Sequence, residues 1–142
     1  MCKAQATHSH LFLKADHSAV AYRDTIGYLL EQNKSACTWT ICTGSQGDIA
    51  SHVLPAMTQG ALFPFCKAAA RENEETSVRF NEVYLCHRVE NDADAEAHGA
   101  TRSSDFAGVY QMLLEAPEVR SSRVMVENAE DDLKKLRWHC KN

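Results

Sequence analysis

The chain has 142 residues, 44% of them apolar and 24% charged, with a net charge of −4. That is enough for one domain with its own core, and it gives no reason to expect nucleic acid or an anionic membrane surface as a partner. No apolar run approaches the roughly 20 residues that cross a bilayer, and the start, M-C-K-A-Q-A-T-H-S-H, has no signal-peptide apolar region.

In chain order, residues 17–32 read first as a helix. Val20, Ile26, Leu29 and Leu30 share a broad apolar face with Tyr22 near its edge; Asp16 or Ser18 can cap the start and Asn33 can end it. Cys37 to Thr43 is rich in β-branched and aromatic residues and stops at Gly44. Trp39 and Ile41 fall on one face, and the other is also fairly apolar, as in a strand covered on both sides. Residues 51–73 read as a long helix, with Leu54, Met57, Ala61, Leu62, Phe65, Ala68 and Ala69 recurring at spacings of three and four. Pro64 removes a donor inside it, so a kink near Gly60 is expected; the alternative is that residues 51–59 form a loop.

Val78 to His87 alternates as a strand but changes phase at Asn81-Glu82, which suggests a bulge. The acidic run E-N-D-A-D-A-E-A-H-G reads as a solvated turn. Residues 103–115 form an amphipathic helix, with Phe106, Val109, Tyr110, Leu113 and Leu114 inward, Ser103 or Ser104 as cap and Pro117 beyond the end. Ser122 to Glu127 is a short strand. Asn128 then caps a last helix, A-E-D-D-L-K-K-L-R-W-H, acidic at its start and basic at its end as the helix dipole favours. Strands alternating with helices predict an α/β domain, with parallel strands joined by right-handed crossovers.

Cysteines at 2, 37, 42, 66, 86 and 140 form no C-x-x-C pair and no small disulfide framework, so they read as reduced thiols of a cytoplasmic protein. His8 and His10 form H-x-H, but no third ligand lies near and the terminus reads as a solvated tail, so no metal is expected. Cys86-His87 suggests a nucleophile beside its base. Neighbours on a strand point to opposite faces, however, so the two would not pair.

The stretch T-G-S-Q-G-D-I-A, residues 43–50, admits two readings. In one, a strand feeds a glycine turn whose N–H groups and following helix start would receive a pyrophosphate. Gly44 and Gly47 would then bind NAD(P) and Arg88 would meet a 2′-phosphate, although Ala50 or Ser51 stands where a third glycine would be.

The other reading uses more of the chain. The run Q-G-A-L-F-P-F-C-K-A-A-A-R-E-N-E-E-T-S-V-R-F-N-E-V-Y-L resembles the second half of a short-chain dehydrogenase/reductase. Gly60-Ala61-Leu62 match the segment after that family's lysine. Val78-Arg79, Asn81 and Val83 match its V-R-x-N-x-V strand, and residues 17–43 match the helix and strand before its tyrosine. The resemblance covers most of 17–90. It implies a single truncated domain over residues 1–142, a partial Rossmann-like layered fold of about three parallel strands flanked by helices. About 16 residues precede the first helix, too few for the family's nucleotide-binding unit, since one βαβ unit takes roughly 30.

The departures fall at the chemistry. The family's tyrosine position holds Pro55 and its lysine position Gln59; Cys42 or Thr43 stands near the serine position with Ser45 close by, and Leu85-Cys86 replace the family's P-G. The lysine serves to favour a phenolate, whose free pKa is about 10. Gln59 has no charge and Pro55 no ionisable group. Thr43, Ser45 and Gln59 remain the catalytic candidates, with NAD(P) as cofactor by resemblance alone. The implied protein belongs to a small-molecule or secondary-metabolic pathway and transfers little hydride by itself. The alternatives are a small NAD(P)-binding oxidoreductase using residues 43–48, or a non-catalytic dimerisation module. The family's habits imply a homo-oligomer, or pairing with a related subunit, through helices 17–32 and 54–73 and residues Tyr22, Ile26, Leu62 and Phe65. The same residues could instead fill an intramolecular core.

Overall fold

A computed structural model describes residues 7–141, with side chains from residue 16 onward. The elements are α1 (Thr7–Gln32), β1 (Thr38–Gly44), α2 (Gln46–Ile49), α3 (Val53–Glu72), β2 (Arg79–Leu85), β3 (Val89–Glu90), α4 (Asp92–His98), β4 (Thr101–Arg102), α5 (Ser103–Glu115), β5 (Ser122–Val126) and β6 (Trp138–Cys140). The main sheet has the order β1-β2-β5-β6; the first three strands are parallel and β6 is antiparallel to β5. The fold is α/β, a partial Rossmann-like arrangement of parallel strands between helices.

One sheet face carries Trp39, Ile41, Phe80, Glu82, Tyr84 and Arg123, and α1 and α3 pack on it. Its core joins Ile41, Leu62, Cys66, Ala69, Ala70 and Phe80, with Tyr22, Trp39 and Phe65 against them. Trp39 stacks on Phe80 at 5.4 Å and Tyr22 meets Trp39 and Phe65 edge-on, geometries favoured by aromatic quadrupoles. The opposite face carries Val83, Val124 and Val126 under Val109 and Leu113 of α5. Both crossovers, β1-α3-β2 and β2-α5-β5, step the same way across the sheet. Their helices nevertheless lie on opposite faces, so the crossovers have opposite hands and one is left-handed. The right-handed rule describes simple crossovers; the second one is long, with β3, α4 and β4 inserted before α5.

Several expectations are corrected. α1 begins at Thr7, ten residues before the expected start, and it turns Tyr22, Ile26 and Leu29 inward, while Val20 and Leu30 are exposed. His8 and His10 lie outside the residues whose side chains are described; among the described residues no three metal-ligating groups cluster. α3 continues through Pro64, but Met57, Ala61 and Ala68 face solvent. β1 is well covered on one face only: Cys42 is exposed on the other, where Thr38 and Thr40 border a cleft of about 180 Å³ under Tyr110 and Leu114. β2 has no bulge. Its register with β1 and β5 is continuous, and the apparent phase change arises because the strand is buried on both faces, with Asn81 and Glu82 buried as polar residues. The acidic run is a short helix, α4, capped at Asn91, whose side chain accepts from the N–H groups of Ala93 and Asp94. Leu114, expected inward on α5, is exposed.

The last helix does not form either. Asp132 is buried and accepts from the N–H groups of Glu127 and Asn128 while holding Arg137. The acidic run is thus spent on a turn, and Trp138–Cys140 pair with β5. The described cysteines are all free thiols. No described helix is long and apolar enough to cross a membrane.

Candidate functional site

In open α/β sheets ligands bind outside the carboxyl ends of the strands. Here that edge is built from the end of β1, the turn into α2, the start of α3 and the end of β2. Thr43 is 2% exposed, and its hydroxyl donates to Glu82 Oε1 at 2.5 Å beneath the sheet face. The Gly44 N–H donates to Gln59 Oε1 at 2.8 Å, so the Gln59 amide ties α3 to the end of β1. Ser45 is buried, its N–H donates to the Leu85 carbonyl, and its own carbonyl accepts from Asp48 and Ile49. A Cβ on Gly47 would stand 2.5 Å from the Phe63 ring and 2.8 Å from the Gly60 nitrogen. The missing side chain of Gly47 therefore lets the turn press onto α3. Arg88 is largely exposed and forms an ion pair with Glu90.

Tyr84 donates to Asp48 Oδ2 at 2.7 Å. Burial, then the Asp48 carboxylate accepting the phenol proton, pushes the Tyr84 pKa well above its ordinary value. Burial, then the nearby Glu127 charge, likewise raises the Cys86 thiol, against the hydroxyls of Tyr84 and Ser45. Both shifts favour the protonated form, so neither group is poised as a base. At this edge Asp48 and Glu127 supply negative charge, and Arg137 is committed to Glu127 and Asp132.

No protein-family model matches the chain, and no solved structure matches it. Among curated proteins, the short-chain dehydrogenase/reductase iacG of Pestalotiopsis fici is 39% identical over 138 residues, which cover 94% of this chain and 55% of that protein. The chain is a homologue of part of a short-chain dehydrogenase/reductase. It spans about half the length of the curated relative it matches. Within this short-chain dehydrogenase/reductase homologue, the positions aligned by resemblance with the tyrosine and lysine lie one turn apart on α3. Pro55 is exposed in the first turn, where a missing N–H is tolerated, and Gln59 is half-buried.

The strand motif V-R-F-N-E-V has a structural role that the sequence did not reveal. Arg79 is 4% exposed and donates to the carbonyls of Leu113, Leu114 and Ala116, which satisfies the end of α5. Asn81 donates to the Val119 carbonyl and accepts from the Ser122 N–H, which sets the entry of β5. The Asp48–Tyr84 pair and the partners of Glu82 were also missed. A carboxylate in the middle of an apolar strand is the one available signal, since such a group is almost never fully buried unless paired.

Proposed function

We propose that this chain is a short-chain dehydrogenase/reductase scaffold whose proton-relay positions have lost their chemistry, so that it transfers little hydride by itself. The observation that carries this reading is the Gln59 amide, which spends its oxygen on the Gly44 N–H where the family places a lysine. An uncharged amide cannot favour a phenolate, and the adjacent Pro55 has no proton to give. The tyrosine at this edge, Tyr84, does not substitute: its proton is held by Asp48 and its pKa is shifted in the wrong direction for a base. The turn 43–49 also supports this reading over a phosphate cradle. The N–H groups of Gly44, Ser45, Asp48 and Ile49 have partners inside the chain, and the space a glycine would leave for phosphate at Gly47 is filled by Phe63. The remaining candidates, Thr43 and Ser45, are held inside the fold and would at most polarise a small-molecule carbonyl. Calorimetric titration of the purified chain with NADPH and NADH tests the reading. Millimolar or absent binding is expected; sub-micromolar binding would refute it.

A second reading has its own observation. β1 lies at the end of the sheet among the described residues, with its outer backbone edge unpaired and Cys42 exposed. Such an edge is a template for association, which suits a module that pairs with a second copy or a related subunit. Sedimentation across a range of concentrations tests this; a monomer at every concentration would remove it.

A further inference from the structure

A groove of about 400 Å³ lies between α3 and the β5–β6 pair, lined by Phe63, Pro64, Lys67, Arg123, His139 and Lys141. None of these residues belongs to the turn 43–49 or is a catalytic candidate. Arg123 and His139 are direct cross-strand partners, and Lys141 lies two residues beyond His139, so all three leave the same sheet face toward α3. Lys67 stands one helical turn after Phe63 on the facing helix. The Arg123 guanidinium lies 4.7 Å from the ring centres of both Phe63 and Tyr84, which fixes its plane.

The charges there do not balance. Glu82 is fully buried and accepts from Arg123 Nε at 2.9 Å and from Lys141. No other carboxylate lines the groove. Lys67, Arg123 and Lys141 thus face one carboxylate. Arg123 spends only Nε on Glu82; among the described residues its two terminal nitrogens have no protein partner, and they are not sealed from solvent. Lys67 has no carboxylate partner among those residues. A guanidinium edge with two free parallel donors matches the two oxygens of a carboxylate or phosphate, and a lysine adds a point charge beside it. Phe63 and Pro64 supply an apolar wall, and the volume is within the range of small-molecule sites.

We propose that this groove binds a small organic anion: a carboxylate or phosphate ester carried on a flat apolar group, with its oxygens on Arg123 and Lys67 and its ring against Phe63. Titration of the full chain in low salt with benzoate, phenyl phosphate and uncharged benzamide, followed by ligand-observed NMR and calorimetry, tests this. Both anions should bind and benzamide should not, and added salt should weaken the binding. Lys67 is exposed, so Lys67→Glu should fold normally and weaken both anions about tenfold or more, while Lys67→Arg should retain them. Lys34→Glu, in the exposed turn between α1 and β1, makes the same change in net charge and should have little effect. Absence of anion binding at about 10 mM, equal binding of benzamide, or equal loss in Lys34→Glu and Lys67→Glu would each overturn the proposal.

Discussion

Replacing Glu82 by glutamine removes the charge that holds three elements together and changes almost nothing in volume. The Glu82 side chain is 0% exposed and takes a hydroxyl from Thr43 on β1, Nε of Arg123 on β5 and Nζ of Lys141 just beyond β6. Removing one partner of a buried pair costs roughly 3–5 kcal/mol because the other charge is left uncompensated. Arg123 would keep its place between Phe63 and Tyr84, and its terminal nitrogens are accessible, so its share is small. Lys141, with its side chain 8% exposed, carries most of the loss. The lower end of the range therefore applies, about 3 kcal/mol. With a urea slope of about 2 kcal/mol per molar, the unfolding midpoint followed by far-UV circular dichroism should fall by about 1.5 M. The triple replacement Glu82→Leu, Arg123→Met and Lys141→Met removes every charge at once and should return most of that loss, since well-packed apolar groups often equal a buried ion pair. A midpoint drop below about 0.3 M in Glu82→Gln would refute the reasoning, because it would mean less than about 1 kcal/mol rests on the carboxylate.

Gly47→Ala should cost about 1–3 kcal/mol in urea unfolding, because its Cβ would meet the Phe63 ring and the Gly60 backbone nitrogen; an unaltered midpoint would show that the turn does not press on α3. Asp132 is held at a pKa of about 2, first by its hydrogen bonds from Arg137. Its folded pKa lies below the unfolded value near 4, so its contribution is complete above pH 5 and is lost as pH falls toward 2. Acid titration of wild type against Asp132→Asn should show stability curves that converge over that window, and parallel curves would count against it. Burial, then the negative charge of Glu82, pushes the Cys66 thiol up to about 12, and its side chain is fully enclosed. At pH 8 a thiol reagent should label Cys140 quickly and reach Cys66 only after unfolding; rapid labelling of Cys66 in the native chain would contradict the packing.

The elements legible in the sequence were those whose patterns come from a single exposed or buried side. α5 has the bounds its periodicity predicts, and β1, β5 and most of α3 fall where branched residues and three-four spacing place them. The alternation rule failed at β2 because helices bury both of its faces, so Asn81 and Glu82 are polar for partners across the sheet and not for solvent. It failed at residues 129–139 because local propensity and charge order favour a helix, whereas Asp132 gains two backbone donors and Arg137 by closing a turn, and β6 gains a strand edge that a helix would leave open. The handedness of the second crossover is a property of the whole connection and leaves no mark on any one segment. At the candidate site the same distinction holds. The proposed absence of an ionisable pair, with Pro55 and Gln59 at those positions, rests on residue types alone. What Gln59, Gly47 and Arg79 do instead depends on which backbone groups come within 3 Å of them, and that is fixed only when β1, α3 and β2 pack. Four N–H groups of the turn, those of Gly44, Ser45, Asp48 and Ile49, already have partners inside the chain: α3 supplies Gln59 to one of them, and the ring of Phe63 packs at Gly47.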